Sequence, residues 1–138
     1  MQQISQGKFK TAFMLFRISV SLLLMIHGIV RWYAGGVNDF GTYLDSLGFK
    51  IGPAIAGLLT ITEIVGGLLM AIGFWPVLFA FFFVVELIAG LVLVHGKEGW
   101  FVVGYGRNGS EYSVLLIVSL ILIAVYHRQA ASSSAKLK

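Results

Sequence analysis

The chain lacks cysteine, carries little charge and has no nucleotide-binding glycine motif, and each absence removes a class of function. Without cysteine there is no disulfide, no thiol redox chemistry and no iron–sulfur cluster ligated by the chain itself. The redox compartment therefore leaves no trace in the sequence. Charged residues make up only 12% of the chain, against about 25% in soluble domains. With 58% hydrophobic residues and a mean hydropathy of +0.90, the 138 residues describe one membrane domain. Neither G-x-x-x-x-G-K-[ST] nor G-x-G-x-x-G occurs, which argues against nucleotide binding. The formal charge of +4 comes mostly from the two termini. That pattern suits positive-inside topology better than nucleic-acid binding.

What remains is a series of apolar runs. Residues 53–74, PAIAGLLTITEIVGGLLMAIGF, are long enough to span a bilayer and hold one ionisable residue, Glu63, near the middle. A charged carboxylate there costs about 2.5–3.5 kcal/mol on insertion scales, so Glu63 needs a structural or functional reason. Three further spans are expected at 12–33, 76–95 and 111–126. The fold class is thus an all-α membrane protein, a four-transmembrane-helix bundle. Residues 1–11 form a basic lead, 12–126 the bundle and 127–138 a polar, basic tail expected to be disordered. The first connection, 34–52, is too apolar for a solvated linker. Phe40, Tyr43, Leu44 and Leu47 share one face of a short helix expected to lie at the membrane surface. The tight Trp75-Pro76 step makes spans two and three antiparallel neighbours. Ser110 or Asn108 is the expected cap of the fourth span. Trp32, Tyr33, Trp75, Trp100 and Tyr126 fall at span ends, as an aromatic belt requires.

The polar groups sort by depth. Glu63 and Glu86 each lie roughly 15 Å into their spans, near the midplane. His27 lies about 9 Å from the outer end of span one, and Arg31 stands one turn above it. His95 and Glu111 close the outer ends of spans three and four. Two layers result: deep carboxylates with His27 reaching toward them, and an outer layer of Arg31, His95 and Glu111. On span two, Ala56, Thr60, Glu63, Gly66, Gly67 and Met70 share one side, a small-residue face around a carboxylate. Span one sets Arg17, Ser21, Gly28 and Arg31 on one stripe. Span three groups Phe79, Phe82, Phe83, Glu86, Ala89 and Gly90. The candidate quinone or proton site is therefore His27, Arg31, Glu63, Glu86, His95 and Glu111. Each has a plain structural reading beside it: a helix-locking ion pair, a snorkelling arginine, or a charge at a helix end. No H-x-x-E or H-E-x-x-H spacing occurs among them, and no metal site is expected.

Five segments occur in a telling order: LLLMIHGIVRWY, FGTYLDSLGFKIGP, ITEIVGGLLMAIGFWP, VHGKEGWF and EYSVLLIVSLILI. Together they resemble the DoxX family of small four-helix membrane proteins. His27-Gly28, Arg31, the E-x-x-G-G at 63–67, His95 and Glu111 carry the resemblance, over roughly residues 17–125. Glu86 has no counterpart in the family pattern, and Trp75-Pro76 stands where a basic residue is often seen. The family takes its name from a subunit of a thiosulfate:quinone oxidoreductase. It is also distantly similar to eukaryotic surfeit-locus cargo receptors, which are not enzymes. The resemblance implies a quinone-linked membrane oxidoreductase or a subunit of one, with quinone as its cofactor and other membrane or redox subunits as partners. The chain attaches no cofactor itself, so electrons would come from a partner. A non-catalytic accessory or docking subunit is the alternative, and the sequence leaves open whether the chain is itself an enzyme.

Four spans put both termini on one side of the plasma (inner) membrane. Lys8, Lys10, Arg17, Arg128, Lys136 and Lys138 on that side outnumber Arg31, Lys50, Lys97 and Arg107 opposite, which favours cytoplasmic termini. Because the chain has no cysteine, single cysteines report topology directly. An impermeant maleimide added outside should label Asn38→Cys and leave Ser5→Cys untouched. The reverse pattern overturns the orientation.

Overall fold

The computed structural model describes residues 5–104 and 106–135. These fold into α1 (Gln6–Tyr33), α2 (Gly36–Ser46), α3 (Gly52–Ile72) and α4 (Pro76–Leu93), then a turn of 3-10 helix (His95–Lys97) and α5 (Glu111–Ala135). Helices α1, α3, α4 and α5 are long and apolar enough to cross a membrane. The chain is therefore an all-α membrane protein with four spans and a short helix in the first connection. The helices outrun the expected spans at both ends of the chain. Ser5 caps α1 by accepting from Lys8 N (3.4 Å), so the helix begins inside the basic lead. Helix α5 continues through His127 to Ala135, where a disordered tail was expected. A polar composition forbids burial, but it does not forbid extra turns on a helix already nucleated by the span before it.

The chain divides into two compact units, Met1–Phe74 and Trp75–Lys138. In the first, α1 and α3 pack antiparallel, with Arg17 beside the end of α3 and Arg31 beside its middle. The buried face of α3 holds Ala56, Thr60, Glu63, Gly66, Gly67 and Met70, the face its helical period predicts. On α1, Val20, Ser21, Leu24 and Gly28 are buried. Two glycines set how closely the helices approach. A Cβ on Gly28 would lie 2.8 Å from Glu63 Cβ, and one on Gly67 would lie 2.9 Å from Met25 Cβ and 3.0 Å from Ser21 O. Backbone meets backbone at both points, which suits helix association in lipid.

Helix α2 lies across the start of α3. Gly41 rests on Pro53, where an added Cβ would meet Pro53 Cα at 2.5 Å. Leu44 is buried, Phe40 and Tyr43 are half-buried, and Leu47 falls just past the helix and is exposed. The expected apolar face is thus present, centred on Gly41 and Leu44.

In the second unit, α5 offers Ser113, Leu116, Leu120 and Ile123 at spacings of three and four, one stripe of a helix. Helix α4 buries Ala80 and Phe83, whereas Phe82 and Ala89 of the expected aromatic face are exposed. Packing selected the rows that fit against α5, and residue type alone does not reveal that row. Helix α4 stops at Leu93, so His95 belongs to the turn that follows and not to the span.

The close approach at Gly67 has a measurable counterpart at Gly57, around which nothing lies within 4 Å. Gly67→Val should destabilise the protein in detergent by about 1–3 kcal/mol through overpacking. Gly57→Ala should be neutral or stabilising by up to about 1 kcal/mol, since alanine is the better helix former. Thermal unfolding curves that rank the two the other way would refute the contact.

Candidate functional site

Arg31 and Glu63 form the centre of the first unit. Arg31 Nη1 lies 2.8 Å from Glu63 Oε2, and Nη2 donates to Oε1 at 3.1 Å. Two guanidinium nitrogens thus face the two carboxylate oxygens, one through a hydrogen bond and the other through a close ion contact without hydrogen-bond geometry. Glu63 is buried and Arg31 half-buried, with side-chain exposures of 4% and 16%. The expected separation into a deep carboxylate layer and an outer arginine layer does not hold here. Arginine has a long stem, and its head turns inward toward an opposite charge instead of snorkelling outward. In a low-dielectric medium the attraction outweighs what hydration at the interface would return.

Three residues that sequence reasoning had not assigned to the site support the pair. Thr60, one turn before Glu63, accepts from Arg31 Nη1 (3.3 Å) and donates its hydroxyl hydrogen to Ala56 O (2.7 Å). It is fully buried and fixes the inner edge of the guanidinium. Phe40 on α2 places its ring 5.0 Å from the Arg31 guanidinium carbon, a cation–π contact that roofs the site. Asp45 Oδ1 accepts from Gly52 N at 2.6 Å, so α2 caps the N-terminus of α3 and holds Phe40 in place. The signals existed in part. Thr60 shares the predicted face with Glu63, and Phe40 shares one with Leu44, but nothing local to either names Arg31 as their common partner. At the other end of α3, Arg17 Nη2 donates to Ala71 O (3.2 Å), placing a cation against the helix C-terminus.

Of the remaining candidates, His27 is exposed on α1, beside the buried stripe. In the second unit, Glu86 is half-buried on α4. His95 and Glu111 join one loop network. His95 Nδ1 lies 2.8 Å from Asn108 O, and a carbonyl only accepts, so Nδ1 carries the hydrogen and Nε2 is the accepting nitrogen of the neutral ring. Ser110 Oγ donates to the carbonyls of His95 (3.3 Å) and Gly99 (3.2 Å). The hydroxyl expected to cap α5 is thus used to close the loop. Glu111 Oε1 accepts from Val102 N at 2.9 Å. Among the described residues, no group of three or more His, Asp or Glu is placed to hold a metal ion.

A family model described as DoxX matches residues 12–96, more than half of the chain, from within α1 into the turn that begins at His95. No curated protein and no solved structure matches.

The ion pair makes a stability prediction. Arg31→Met or Glu63→Leu alone strands one buried charge and should cost about 3–5 kcal/mol. The double variant removes both charges and should recover most of that loss. Denaturant titration of all four proteins in one detergent checks it. Additive single losses would mean the two side chains do not act as a pair.

Proposed function

The chain belongs to the DoxX family of membrane proteins, and we propose that it serves as the membrane component of a quinone-linked oxidoreductase, with Glu63 as its proton-handling group and Arg31 as the permanent cation that positions it. The observation that carries this reading is the ion pair within helices that cross the membrane, with a buried carboxylate and a guanidinium that keeps unspent donors. Ionisable residues at membrane depth mark ligand and proton paths by default.

The residues present suit a quinone head group. Such a group needs a donor for a carbonyl oxygen, a proton carrier and an aromatic face. Arg31 spends Nη1 on Thr60 and Glu63, and one Nη2 hydrogen on Glu63. Its Nε hydrogen and the second Nη2 hydrogen remain for an acceptor. Phe40 supplies the ring. When bound, a quinone takes up or gives electrons together with protons. Arg31 would orient a carbonyl oxygen, and Glu63 would take or release a proton as the guanidinium redistributes its hydrogen bonds. The electron carrier would be held by a partner subunit in the plasma membrane, with the termini of this chain on the cytoplasmic side.

The second reading is a non-catalytic accessory or docking subunit. It is favoured by Gly28 and Gly67, whose close contacts hold α1 against α3.

One variant separates the two. Glu63→Gln keeps shape and hydrogen bonding but cannot carry a proton. In the intact complex purified from membranes, quinone-dependent turnover should fall about a hundredfold, the scale of a lost acid–base group, while assembly persists. Turnover at the wild-type level in both Glu63→Gln and Glu86→Gln would end the proton role. Loss of assembly with Glu63→Gln would assign the pair to packing.

A further inference from the structure

The connection between α4 and α5 contains an apolar run, Trp100-Phe101-Val102-Val103, between Gly99 and Gly104, both at φ +88°. Apolar residues in a solvated loop ordinarily fold back onto the protein. Here a large share of their surface stays open: Trp100 is 54% exposed, Phe101 46% and Val103 80%. Nor is the segment loosely held. Ser110 N donates to Gly99 O and Glu111 N to Trp100 O, each at 3.0 Å, and Val102 N donates to the Glu111 carboxylate at 2.9 Å. Gly109 is buried beneath the carbonyls of Trp100 and Phe101, where any Cβ would collide with both. The backbone is therefore tied to the first turn of α5, and the side chains are held outward by construction.

We propose that residues 100–103 form a fixed wedge that seats in the interfacial zone of the bilayer leaflet at the α5 N-terminus. Three observations support that occupant. The first turn of a membrane-spanning helix lies at the interface, so a segment pinned to it shares that depth. Tyr112 and Leu115, near the start of α5, are also exposed and apolar, on a helix long and apolar enough to cross a membrane. The bonds to Glu111 and Ser110 also satisfy backbone groups that would otherwise be costly to bring near hydrocarbon. Lys97 and Arg107, exposed at the two ends of the connection, sit where cationic side chains meet headgroup phosphates. Exposed Glu98 marks the side turned to water. The wedge would fix the depth of the α4–α5 unit independently of any redox role.

Trp100 is its own probe. In the Trp32→Phe/Trp75→Phe protein, reconstituted into phosphatidylcholine–phosphatidylglycerol vesicles, Trp100 is the one emitting indole. Lipids brominated near the glycerol end of the acyl chain should quench it at least about twofold, more than lipids brominated near the chain terminus, as interfacial indoles behave. Aqueous iodide should have little effect. A second variant, Val103→Asp at the most exposed position, should shift the emission to longer wavelength and weaken lipid quenching, with helix content by circular dichroism unchanged. Quenching by iodide and not by lipid would place the loop in water. Quenching by neither would mean that a protein partner covers it. Either result overturns the proposal.

Discussion

The first unit depends on one constraint: a carboxylate in the middle of a membrane helix must meet its opposite charge. Glu63 alone would be carried into hydrocarbon at substantial cost, and so would the guanidinium of Arg31. Contact between the two offsets both costs, but only if α1 and α3 lie in one register and at one spacing. Gly28, one turn before Arg31 on the same stripe, supplies the spacing, since its missing side chain lets α1 settle against Glu63 itself. A methyl group there would push the helices apart at the point where the charges must touch. The glycine and the ion pair are thus one device seen from two helices. Arg17 repeats the logic at the far end of α3 with carbonyl groups in place of a carboxylate.

Helix α2 completes the device from a third direction. It does not simply rest at the membrane surface as an amphipathic helix would. Asp45 bonds the first turn of α3, Gly41 lets its backbone reach Pro53, and Phe40 comes to rest over Arg31. The cap and the close contact anchor α2 at two points, so the ring over Arg31 is held by backbone geometry and not by its own weak attraction. A cation–π contact contributes about 0.5–2 kcal/mol, too little to hold a helix in place but enough to favour one orientation of a guanidinium. Exclusion of water follows, and with it the strengthening of the ion pair beneath.

Much of this was legible in the sequence, and the limit has a physical cause. The buried face of α3, from Ala56 to Met70, follows from helical period and small residue size, both local properties. Arg31 and Glu63 were each visible as costly intramembrane charges. Their pairing was not, because register between two helices separated by a 19-residue connection is a non-local quantity fixed by where backbones can touch. Depth counted from helix ends also misled. It locates Cα atoms, and the Arg31 head lies a side chain's length from its own. His27 was expected, from its depth on span one, to reach toward the deep carboxylates; its neighbour Gly28 is the residue that faces α3, and His27 is exposed. His95 lies at the end of the third span, as expected, but two residues past α4: apolar residues continue to its edge, and the helix ends where the chain turns for the loop closed by Asn108 and Ser110.

The same geometry bears on why charge is used here at all. If holding α1 to α3 were the whole task, the close packing around Gly28 and Gly67 would serve it, since such packing is what drives helix association in lipid. The same α1–α3 contact also carries two ions, one of them retaining hydrogen-bond donors beyond those that its partners on α3 consume. Thr60 is informative in this respect. Its hydroxyl already donates within α3, so its acceptor lone pair is what it gives to Arg31, and that bond orients the guanidinium without competing for the carboxylate. A site arranged to orient a cation, to keep a carboxylate within its reach and to cover both with a ring has more definition than a helix lock requires. That surplus is the physical ground for reading Arg31 and Glu63 as chemistry before packing.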